Sequence, residues 1–124
     1  MLLPDFLLIL VGILAAGLGG DASVQLVLKS LHMSPELRKK VEAGSIPGAG
    51  RYIGYLERSI AFLLVLVGEP GAIAFVVAAK AIVRFESAKE RPFAEYFLIG
   101  TFTSILTAVV IGMLIFAMGI QPFR

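Results

Sequence analysis

Four apolar stretches are separated along the chain by breaks marked with glycine, proline and charge. The first stretch, Leu2 to Leu18, holds a single charge, Asp5, directly after Pro4. Proline suits a first helical turn and an acid there complements the helix dipole, so Pro4-Asp5 reads as a helix start. Gly19-Gly20 predicts its end. No Lys or Arg precedes the stretch, which argues for a retained span over a cleaved signal peptide.

From Asp21 to Gly50 the pattern changes. Val24, Leu26-Val27-Leu28 and Leu31 alternate with Gln25, Lys29 and His32, which predicts an amphipathic continuation at an interface. Ser34-Pro35-Glu36 reads as an N-cap with proline at the first helical position, and Gly44 as the C-cap of the short basic segment 37–41. Gly44 to Gly50 reads as a loop. The stretch Ile53 to Phe85 is split by Gly68-Glu69-Pro70-Gly71, because proline removes a backbone donor and the flanking glycines favour a tight turn. A helical hairpin follows, Arg51–Val67 and Gly71–Phe85 or slightly beyond. The last stretch, Phe93 to Met118, begins after Arg91-Pro92.

Composition makes these stretches membrane spans. Of 124 residues 58% are hydrophobic and only 16% charged, and the mean hydropathy is +0.92. A soluble domain of this size exposes too large a fraction of its surface to be covered by so few polar groups. That excludes an ordinary soluble enzyme and a basic nucleic-acid binder, and the absence of cysteine excludes a disulfide-stapled module. A bilayer core of about 30 Å takes roughly 20 apolar residues. The prediction is an all-α polytopic membrane protein with a single domain over residues 1–124. Its spans fall near 3–20, 51–67, 71–87 and 93–118, and a cytoplasmic loop covers about 29–50.

Charge placement supports four spans. Lys29, Arg38, Lys39, Lys40, Arg51 and Arg58 lie between the first and second, and Lys80, Arg84, Lys89 and Arg91 between the third and fourth. Four spans put both groups on one side, and the positive-inside rule makes that side the cytoplasm, with both termini outside the plasma (inner) membrane. Tyr52, Tyr55 and Tyr96 fall at the same edge, as interfacial anchors do.

Close helix association in lipid relies on small residues. Gly100, Ser104, Ala108 and Gly112 recur at four-residue spacing in the last span, as do Gly12, Ala16 and Gly20 in the first. Gly71, Ala74 and Ala78 share a face of the third, and Gly54, Ala61 and Gly68 stand seven apart in the second. This predicts a tight bundle, with some stripes left for self-association.

Charges inside spans carry a cost and normally a reason. Counted from the 68–71 turn, Glu57 and Lys80 lie at nearly equal depth, roughly 14–17 Å at 1.5 Å per residue, so they can pair across the hairpin. Glu57 shares its face with Gly54, Ala61 and Gly68, and Arg51, Tyr55 and Arg58 form an adjoining stripe. Lys80 and Arg84 project opposite the Gly71/Ala74/Ala78 face. They either snorkel to anionic headgroups or meet Glu57, Glu95 or a bound anion at a second interface. Glu95, in a first turn, is stabilised by the dipole in any case. Gly48-Ala49-Gly50-Arg51 lacks the lysine and spacing of a phosphate loop and reads as a linker. His32 is the only histidine, so no metal site is expected, and no cofactor or catalytic motif is recognisable.

Three segments, Gly50-Arg51-Tyr52-Ile53-Gly54-Tyr55-Leu56-Glu57-Arg58, Ala78-Ala79-Lys80-Ala81-Ile82-Val83-Arg84-Phe85 and Glu95-Tyr96-Phe97-Leu98-Ile99-Gly100-Thr101, carry charges in an unusual order within apolar runs. Over about residues 46–112 the chain resembles the C-terminal membrane region of a bacterial family of integral membrane proteins classed as a domain of unknown function. The resemblance implies no activity. It does imply that Glu57, Arg58, Lys80, Arg84, Glu95 and Tyr96 form the characteristic set. The functional expectation is a non-enzymatic oligomer of this chain that conducts or transports an ion or small anion. The alternative is a structural or accessory subunit that binds membrane lipid or a partner membrane protein.

Overall fold

The computed structural model describes residues 3–31, 49–83 and 91–120. Among them the chain is all-α, with four helices and no strand: α1 (Leu3–Ser30), α2 (Ala49–Leu66), α3 (Ile73–Val83) and α4 (Arg91–Ala117). A single 3-10 turn, Pro70–Ala72, leads into α3. The segments holding His32, the 37–41 basic run, the Gly44–Gly48 loop and Arg84 lie outside the described residues.

α1, α2 and α4 pack on one another, and α3 lies against α2. Two helices, α1 and the Ala94–Ala117 part of α4, are long and apolar enough to cross a bilayer. α2 is shorter, 18 residues, and carries three charges, and α3 is described over only 11 residues.

α1 departs from the sequence reading. It continues through Gly19-Gly20 for 28 residues, about 42 Å at 1.5 Å per residue, instead of ending there. The reason is packing. A Cβ on Gly20 would overlap the Arg58 side chain, and one on Gly12 the Phe62 ring. Here glycine permits a close approach, and the tight helix–helix packing outweighs its low helix propensity of about 1 kcal/mol. The Ser23 hydroxyl donates to the Gly19 carbonyl at 2.8 Å within the continuous helix.

The hairpin turn forms where the sequence places it. Gly68 has φ +78°. The Glu69 amide donates to the Leu64 carbonyl at 2.8 Å and the Gly68 amide to Val65 at 3.2 Å. This pair of bonds is a Schellman cap, which satisfies the last carbonyls of α2 and needs a left-handed residue. Pro70 then opens the next turn.

The core consists of Ile9, Ala16, Ala61, Phe62, Leu66, Ala108 and Ile120. Gly12, Ala16 and Gly20 of α1 and Ser104, Ala108 and Gly112 of α4 are buried, and Gly100 is half-buried. The third small-residue stripe does not pack. Gly71, Ala74 and Ala78 are exposed, and α3 instead turns the half-buried row Ile73, Val76, Val77 and Lys80 inward. Lys80 decides this, because its partners lie on that side. The outer surface is strongly apolar: Leu3, Leu14, Leu18, Phe75, Ile82, Phe102, Leu106 and Leu114 are all exposed.

Candidate functional site

Among the described residues, Glu57, Arg58, Thr101 and Ser104 are the buried polar ones, set among helices whose outer faces are apolar. Glu57 and Arg58 are consecutive on α2, so their side chains leave the helix about 100° apart and serve two different seams.

In the first seam, Lys80 reaches from α3. Its Nζ lies 2.9 Å from Glu57 Oε2 and donates to the Thr101 hydroxyl at 2.9 Å. The ammonium also stands 5.3 Å from the centre of the Phe97 ring, within cation–π range. Three helices therefore meet at one charge. The pairing of Glu57 with Lys80 follows from their equal distance from the turn, and Lys80 does not reach away from the bundle.

In the second seam, Arg58 lies between α1 and α4. Nη1 donates to the Ser104 hydroxyl at 3.0 Å. The guanidinium rests on Tyr55, 5.2 Å from its ring centre, and is wedged between Gly20 and Gly54, where a Cβ on either would strike it. Tyr55 packs in turn against Gly17, so it is a platform within the bundle and not a simple interfacial anchor; Tyr52 is exposed. At the rim of this seam Arg51 Nη2 pairs with Asp21 Oδ2 at 2.8 Å, tying α2 to α1. Asp21 and Glu57 are the carboxylates whose charge reaches Arg58.

One feature distinguishes this layer from a set of closed ion pairs. Its charges balance, with Arg58 and the partly buried Lys80 against Glu57 and the partly buried Asp21. Among the described residues, however, three buried side-chain atoms lack a hydrogen-bond partner: Glu57 Oε1, Arg58 Nε and Arg58 Nη2. Buried polar atoms in folded proteins are overwhelmingly paired, so an exception calls for an explanation.

Of the characteristic set, the structure brings Glu57, Arg58 and Lys80 into one layer. Glu95 is exposed near the start of α4 and Tyr96 is half-buried there, while Phe97 and Thr101 supply contacts from α4 to Lys80. Sequence reasoning missed three parts. Thr101 and Ser104 stand three apart on one face of α4, a spacing legible in the sequence, but Ser104 reads there only as a small packing residue. The Asp21–Arg51 pair was hidden by the predicted helix end at Gly19-Gly20. Among the described residues no three His, Cys, Asp or Glu side chains come together as a metal site.

No protein-family model matches the chain, and no curated protein or solved structure matches it.

Proposed function

We propose that the chain is a small multi-pass protein of the plasma (inner) membrane whose copies assemble into an oligomer that conducts or carries a small anion. The observation that carries this reading is Arg58: a residue 3% exposed whose Nε and Nη2 have no hydrogen-bond partner. Intramembrane charges are rare, face bundle interiors and mark ion or substrate pathways. A layer serving helix packing alone gains nothing from buried donors left unpaired, whereas an anion between the helices would pair them.

The membrane setting is supported by the reversal of the usual soluble pattern, with charged and hydroxyl groups inside and large apolar side chains outside. Under this reading α2 and α3 span as the hairpin between α1 and α4, both termini lie outside, and the resemblance to the bacterial family of unknown function is one of common descent. The outward Gly71/Ala74/Ala78 face and the exposed apolar sides of α1 and α4 provide surface for a second copy.

The test is reconstitution. The purified protein, sized by native mass measurement in mild detergent, is placed in vesicles, and chloride and nitrate fluxes are followed with an entrapped quenchable dye. An oligomer with flux above protein-free vesicles supports the reading. A strict monomer with flux equal to the empty vesicles overturns it. One observation favours a second reading: Glu57, Lys80, Thr101 and Ser104 also lock the mutual register of α2, α3 and α4. An accessory subunit that binds lipid or a partner membrane protein uses the layer only in that way.

A further inference from the structure

We infer that the Nε/Nη2 edge of Arg58 is the receptor for a small planar oxyanion, such as nitrate, formate or bicarbonate, which enters the α1–α2 seam where Asp21 and Arg51 tie it. This rests on the anion reading above and narrows it to a chemical class.

The argument begins with which N–H groups are engaged. A guanidinium presents its donors in a rigid plane, and Nε–H and the neighbouring Nη2–H point the same way, as a two-pronged fork. Ser104 takes Nη1, on the opposite side. The two atoms without a partner are therefore the two prongs of one edge, Nε and Nη2. Two oxygens of a flat anion match such a fork with parallel hydrogen bonds, whereas a spherical halide does not gain from the fork's paired directions. Ser104 and the Tyr55 ring hold the plane.

Gly20 and Gly54 give the plane its room. Nε faces Gly20 of α1, while Nη1 is the nitrogen nearest Gly54 of α2 and Nη2 lies beyond it, so the unpartnered edge meets the α1–α2 seam at its Nε end. Arg51, Tyr55 and Arg58 follow one another on the same face of α2, which carries the seam outward to the rim. There the Arg51–Asp21 pair closes it; Arg51 is 64% exposed at the side chain, so the rim reaches the outside of the bundle. Asp21 directly follows Gly20, which makes it both the tie across the entrance and the nearest competing carboxylate on α1. An anion reaching Arg58 must separate the two helices at that tie.

The test measures thermal unfolding of the intact protein in mild detergent, titrated with sodium nitrate, sodium formate or sodium chloride at constant ionic strength with sodium fluoride, whose spherical anion cannot engage the fork with two oxygens. The wild type should be stabilised by nitrate and formate at concentrations at least tenfold below those needed for chloride. Asp21→Asn should lower the nitrate midpoint several-fold. Because the Arg51 side chain is 64% exposed and stays solvated without its partner, the variant should fold. Arg58→Lys, which keeps the charge and removes the fork, should abolish the preference for nitrate over chloride. Equal responses to nitrate and chloride in the wild type, or an unchanged nitrate midpoint in Asp21→Asn, overturn the oxyanion assignment while leaving the anion reading standing. No response to any of the three anions, together with vesicles that pass neither chloride nor nitrate, overturns both.

Discussion

Glu57 and Arg58, neighbours in the chain, are gripped by different helices: Glu57 by Lys80 of α3 at 2.9 Å, Arg58 by Ser104 of α4 at 3.0 Å. The turn of the helix between them places one charge in each seam beside α2. α4 then answers both with hydroxyls three residues apart, Thr101 through Lys80 and Ser104 directly. The layer thus joins all four helices once Gly20 and the Asp21–Arg51 tie are included.

The Glu57–Lys80 pair is testable by a double-mutant cycle. Removing one member of a buried pair leaves its partner uncompensated, at a cost of about 3–5 kcal/mol in soluble proteins. Polar contacts measured within membranes are weaker, so Glu57→Gln and Lys80→Met should each destabilise the protein by about 1–3 kcal/mol. The double variant should recover part of the loss in a detergent unfolding assay. Strictly additive losses mean that the two side chains do not depend on each other.

Glycines in this chain sort by what faces them. Gly20→Ala places a methyl group on the Arg58 stem. Such overpacking should cost about 1–3 kcal/mol. A Cβ added at Gly100 would meet nothing within 4 Å, and the residue lies within α4 without a positive φ. Gly100→Ala should therefore raise stability, by about 0.5–1 kcal/mol on helix propensity. Parallel melts of the two variants decide the matter, and a neutral Gly20→Ala means that Arg58 has another place to go.

Local signals account for what the sequence foretold. The Gly68–Gly71 turn was legible because its residues are demanded by backbone geometry within four positions, and the equal depth of Glu57 and Lys80 follows from counting outward from it. Gly20 was misread because helix-breaking is a local property, while its role is set by a side chain 38 positions away. The stripe on α3 shows the converse. Gly71, Ala74 and Ala78 satisfy the small-residue rule, yet the ion pair of Lys80 turns the other face of that helix inward. Spacing alone gives a face, and only the partner's charge gives its direction.

Ser104 offers a narrower test of the Arg58 seam. Ser104→Ala leaves Nη1 buried without its acceptor, adding a third orphan donor to the two already present. A lost partner for a buried group costs about 1–3 kcal/mol, more where the group is charged. Ser104→Thr keeps the hydroxyl and should retain most of the stability, although the added methyl must fit. Comparison of the two melts isolates the hydrogen bond from the volume at this position; equal losses assign the effect to packing.

Topology is open to a direct test, because the chain contains no cysteine and single cysteines can be introduced without background. Lys29 lies exposed near the end of α1 and Glu69 is exposed in the turn between α2 and α3. With four spans and the basic segments inside, these positions lie on opposite sides of the membrane. Glu69→Cys in intact cells should react with an impermeant thiol reagent, and Lys29→Cys only after the membrane is opened. Neither change touches the buried layer, so both variants should assemble normally. Reaction of both from outside means that α2 does not cross the bilayer, and the reversed pattern places the basic segments outside. Either outcome would remove the present assignment of the hairpin, and with it the depth at which Arg58 meets an anion.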